Sequence, residues 1–127
     1  MAGENSAIIS GNAINEAYGV CDWADSQIEA LLEAINFLYS DDQGNVGALS
    51  AEARSFIDMD SYEEVEEGVW KYTCLQIGGH GGIDPQDGAG TLIIDRLMSE
   101  LSNLESISAN AIATMQRIQK EINSKLS

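Results

Sequence analysis

Basic residues are scarce in this chain: six Lys and Arg stand against 21 Asp and Glu in 127 residues, for a formal net charge of −15. A field of that sign disfavours phosphate backbones and anionic lipid surfaces, so neither direct nucleic-acid binding nor membrane attachment is expected. Proline and histidine each occur once and cysteine twice. Cys21 and Cys74 are too few and too far apart for a zinc framework, and no C-x-x-C occurs. The two thiols could form one disulfide if the elements carrying them meet. Met1-Ala2-Gly3-Glu4-Asn5, however, has neither the basic flank nor the apolar run of a signal peptide. Two reduced, mostly buried thiols in a cytoplasmic protein are therefore the expectation. No apolar run approaches the roughly 20 residues that span a bilayer.

What is present suits a folded chain. A hydrophobic share of 44% is ordinary for a globular protein, and the length fits one domain over residues 1–127. Ile14, Ala17, Tyr18, Cys21, Ala24, Ile28, Leu31, Leu32, Ile35, Leu38 and Tyr39 recur at three- and four-residue intervals and predict a helix, secure from Asp22 onward. Gly19 weakens the preceding turns, so the segment is either one helix or two that meet near Val20 to Asp22. Asp41-Asp42-Gln43-Gly44-Asn45 breaks the pattern with turn formers. Ser50 is placed to cap a short helix through Ala53, Phe56 and Ile57, and Asp58-Met59-Asp60 interrupts it.

Ser61-Tyr62-Glu63-Glu64 has the S-x-x-E form of a capping box and predicts a helix over 61–77, with Tyr62, Val65, Val69, Tyr72 and Leu75 or Gln76 on one face. The β-formers in Val69 to Leu75 keep a short strand open as the alternative. Residues 78–90, rich in glycine and holding Pro85, read as a connector without regular structure. Thr91 is then placed to cap the longest helix, with Ile94, Leu97, Leu101, Leu104, Ala111, Met115, Ile118 and Ile122 close to a 3.5-residue repeat. Together these elements predict an all-α fold, a small antiparallel helical bundle with a long C-terminal helix and a Gly-rich connector.

Motifs that carry chemistry fall short of their defining residues. Gly88-Ala89-Gly90-Thr91 lacks the Lys of a phosphate-binding loop, and the helical periods on both sides do not suit a dinucleotide fold. His80 between glycines has no evident orienting partner for general-base work. Asp41, Asp42, Asp58 and Asp60 do not follow the spacing of a calcium loop. No cofactor, metal or enzymatic activity is expected.

Glu63, Glu64, Glu66, Glu67 and Trp70 combine dense negative charge with a large aromatic, the composition of many interfaces, and form the candidate partner-binding site. The plainer arrangement buries Tyr62 and Trp70 in the core and leaves the glutamates as a solvated face. The expected function is a non-enzymatic, acidic protein-binding module acting on a basic partner protein, in the manner of an inhibitor, an immunity-type protein or a nucleic-acid mimic. The alternative is a self-assembling helical subunit of a filament or secretion apparatus, a homo-oligomer joined through the C-terminal helix.

Overall fold

A computed structural model describes the backbone of residues 2–126 and the side chains of 15–118 and 120–125. The side chain of Ile14, first in the expected stripe, lies outside the described ones, as do those of residues 1–5. In chain order the elements are α1 (Ala2–Tyr39), a 3-10 turn (Val46–Ala48), α2 (Ala51–Ser55), a second 3-10 turn (Met59–Ser61), β1 (Tyr62–Glu66), β2 (Val69–Tyr72), β3 (Leu75–Ile77), β4 (His80–Ile83) and α3 (Gly88–Leu126). α1 continues through Gly19 without a break, so the single-helix alternative holds. Ser50 caps α2 as expected, its hydroxyl accepting from the Ala53 amide at 3.1 Å, and Glu33 accepts from that hydroxyl at 2.8 Å.

The chain divides into two compact units, residues 1–25 with 100–127 and residues 26–99. In the first, stretches of α1 and α3 run antiparallel. The Cys21 thiol donates to the Glu105 carbonyl at 3.9 Å and Gln116 Nε2 donates to the Tyr18 hydroxyl at 3.1 Å, so one helix steps back as the other advances. Ala24, Leu101, Ile112 and Ser108 are buried there, while Trp23 and Ile107 are exposed. A pair of helices can cover one stripe of each and leaves its remaining apolar residues to solvent.

The second unit is built on a core of Leu31, Phe37, Leu38, Phe56, Ile57, Leu75, Ile83 and Ile94, of which Leu31, Ile57 and Leu75 are the largest fully buried side chains. Ile57 pairs with Leu75 in an isolated antiparallel bridge, with the Asp58 amide donating to the Cys74 carbonyl and the Gln76 amide to the Phe56 carbonyl. Apolar burial and backbone pairing coincide there, so extended segments share the core with residues of all three helices.

The all-α expectation is therefore corrected between Tyr62 and Ile83. Where a helix over 61–77 was predicted, β1 pairs with β2 and β3 with β4 in two separate antiparallel hairpins. Ser61 caps no helix. Its hydroxyl donates to the Asp58 carbonyl at 2.6 Å and accepts from the Thr73 and Cys74 amides at 3.2 and 3.1 Å, so it links the start of β1 to the segment after β2. The connector expected at 78–90 is corrected as well. Gly78 and Gly79, at φ of +59° and +80°, form the two-residue turn that joins β3 to β4, a backbone whose twist matches that of paired strands.

α3 also begins earlier than Thr91, at Gly88, and the Thr91 hydroxyl donates to the Pro85 and Asp87 carbonyls instead of capping. Gly90 is buried against the Asp84 backbone, and a Cβ there would collide with the Asp84 carbonyl oxygen. Two substitutions test these corrections. Ser61→Ala removes the acceptor of two amides and is expected to cost about 1–2 kcal/mol. Gly90→Ala forces backbone apart and is expected to cost about 3 kcal/mol. Urea unfolding of both variants checks the sizes and their order.

Candidate partner-binding site

β1 and β2 are short and joined through Glu67 and Gly68, and the pairing Tyr62 with Tyr72, Glu63 with Lys71 and Glu64 with Trp70 sorts their side chains by face. Tyr62, Glu64, Trp70 and Tyr72 share one face, and Glu63, Lys71 and Thr73 the other. On the first face the rings form a ladder. Phe37 in the core lies 6.2 Å from Tyr72, Tyr72 lies 4.7 Å from Tyr62, and Tyr62 stacks on Trp70 at 5.8 Å. Exposure rises along it from buried Phe37 to Tyr62 at 50% and Trp70 at 53%. The ladder roots the hairpin in the core and carries its last indole into solvent.

The backbone of β2 is held from outside by one side chain. Gln43 Oε1 accepts from the Tyr72 amide at 2.8 Å, and Gln43 Nε2 donates to the Tyr72 carbonyl at 2.8 Å. A carboxamide gripping both groups of one residue reproduces what a neighbouring strand would offer. It also fixes the pairing type. Tyr72 turns its amide and carbonyl away from β1, which makes Tyr62 and Tyr72 a non-hydrogen-bonded pair, the kind whose side chains approach most closely.

The other face of the hairpin borders an open cleft of about 720 Å³ lined by Asp41, Asp58, Asp60, Glu63, Glu66 and Asp84, with Lys71 as its one basic side chain. Asp58 is already engaged, accepting from the Asp60 amide at 3.0 Å and the Gly82 amide at 2.8 Å. Among the described residues no group of three or more His, Cys, Asp or Glu side chains could hold a metal ion. His80 opens β4 opposite Ile77 and is exposed. The unit of residues 26–99 carries fourteen acidic side chains against Arg54, Lys71 and Arg96, so the anionic field of the chain is concentrated where the hairpins are.

All five candidate residues are exposed and sit on one hairpin instead of a helix. Glu64 and Trp70 share the aromatic face, Glu63 and Glu66 border the cleft, and Glu67 lies at the turn. The arrangement that buries Tyr62 and Trp70 is not the one adopted. Gln43, Tyr72 and the acids at Asp41 and Asp42 carry no signal in the sequence that would join them to the site, since Gln43 and the Tyr72 backbone it grips are 29 positions apart. No family model, curated protein or solved structure matches the chain.

Both cysteines are free and half-buried. Partial burial pushes the Cys21 thiol above its ordinary pKa, and the neighbouring carboxylates of Glu105, Asp22 and Asp25 push in the same direction. The thiolate is the reactive form, so Cys21 is expected to alkylate with iodoacetamide more slowly than a free cysteine at pH 8, with the difference lost in denaturant. Mass spectrometry of the labelled peptide checks this.

Proposed function

We propose that the protein is an acidic, non-enzymatic binding module whose β1–β2 hairpin docks on a basic surface of a partner protein and thereby blocks it. One observation carries this reading: a half-exposed indole stacked on a half-exposed tyrosine stands among Glu63, Glu64, Glu66 and Glu67, all in solvent. Charge alone steers encounter and is weakened by salt, whereas an aromatic anchor supplies contact area that persists once water is excluded. The negative field also resembles that of a phosphate backbone, so the surface covered would be one that otherwise meets nucleic acid or another polyanion. Free thiols suit action in the cytoplasm.

Replacing the four glutamates by lysine should abolish capture of the basic partner from native lysate while leaving the circular dichroism nearly unchanged, because all four side chains are exposed. Capture by the wild type should fall as salt rises toward 1 M, where screening shortens to about 3 Å. Capture indifferent to both changes would overturn the reading.

A second reading, self-assembly, has its own observation. In the unit of residues 1–25 and 100–127, Tyr18, Val20, Trp23, Ile107 and Ile118 are exposed, Ile107 at 66%. Of the expected oligomer stripe Leu101 is buried and Ile118 is exposed, so Ile118 and the residues beside the stripe would have to make the contact between copies. Sedimentation separates the readings: a monomer supports the binding module, and a large assembly supports the subunit.

A further inference from the structure

The Gln43 bracket shows which way β2 faces. Backbone groups alternate along a strand, so if Tyr72 turns its amide and carbonyl outward, Lys71 turns inward to β1 and Trp70 turns outward again. Gln43 satisfies the outward groups at Tyr72. Among the described residues no hydrogen bond reaches the outward groups of Trp70. Alongside them runs a groove of about 340 Å³ between β2 and the turn after α1, bordered by Asp41, Asp42, Gly44, Val69 and Trp70, with Lys71 as the basic residue among its lining. It is a free strand edge with an aromatic floor and an acidic wall.

We propose that this edge receives an extended, lysine- or arginine-rich segment of the partner as an added strand. The proposal rests on the binding-module reading and specifies how the partner is held. Backbone groups of the incoming segment pair with the amide and carbonyl of Trp70, and Gln43 marks where that pairing ends. Basic side chains of the segment meet Asp41 and Asp42 on the wall, while apolar atoms of their stems lie over the indole. A helical partner has no free backbone groups to offer this edge, and a nucleic acid is repelled by the wall. The edge therefore selects an extended basic polypeptide.

The test uses the full chain and two synthetic peptides of about ten residues alternating lysine and threonine, identical except that one is methylated on every backbone nitrogen. Methylation keeps the charge and removes the donors. Calorimetric titration at low salt is expected to show the unmodified peptide binding about tenfold more tightly, the worth of one to two net hydrogen bonds. Exchange of the Trp70 amide, followed by nuclear magnetic resonance, should slow on saturation with the unmodified peptide. Equal affinity for the two peptides, or an unprotected Trp70 amide, overturns strand addition and leaves acidic docking standing. Failure of both peptides to bind at low salt overturns strand addition and acidic docking together.

Discussion

From Phe56 to Ser61 a single turn of backbone reaches both hairpins. The Phe56 carbonyl and the Asp58 amide hold β3 at Gln76 and Cys74, the Asp58 carboxylate takes the Gly82 amide of β4, and the Ser61 hydroxyl collects the amides of Thr73 and Cys74 between β2 and β3. Among the described residues neither two-stranded sheet has a third strand, and an isolated hairpin is marginal in water. Every feature of the candidate site depends on this junction, because β2 has its place only while the segment after it is held. Asp58 matters here as a pair of acceptors and not as a charge: its two oxygens satisfy two amides on different elements.

The same junction explains how so acidic a surface can be ordered. Four glutamates on one short hairpin repel each other and contribute nothing to cohesion. Cohesion comes from the inner end, where Tyr72 meets Phe37 and Gln43 grips the Tyr72 backbone, and from the ring contacts running outward. The hairpin is held at its base by neutral groups, which leaves the charged residues at its surface available for a partner.

The long helices are legible because their apolar spacing is local and repeated, as at Leu31, Leu38, Ile94 and Leu101, and Ser50 is legible as a cap because capping needs three residues. The segment 61–77 predicts a helix yet forms strands because its residues satisfy two patterns at once. Tyr62, Val65, Val69 and Tyr72 fall at helical intervals, yet Tyr62 with Glu64 and Trp70 with Tyr72 also alternate, and Gly68 and Gly79 stand where hairpin turns require them. What decides between the patterns lies beyond local spacing: the Ile57–Leu75 bridge, the Gln43 side chain, and the reach of the Ser61 hydroxyl to the amides of Thr73 and Cys74. The composition of the candidate site could be read from Glu63 to Trp70, but its geometry could not, since the edge of β2 exists only once the turn after α1 lies beside it.

The distribution of two residue types gives the protein a built-in pair of reporters. Its only tryptophans fall one to each compact unit, Trp23 in the first and Trp70 in the second, and its only cysteines do the same, Cys21 and Cys74. Removing one indole leaves the emission of a single unit, and blocking one thiol leaves a single attachment point for a dye. Melting of the helical pair and of the hairpin unit can therefore be followed separately in one chain, and whether they come apart in one cooperative step or two becomes a question for a spectrometer.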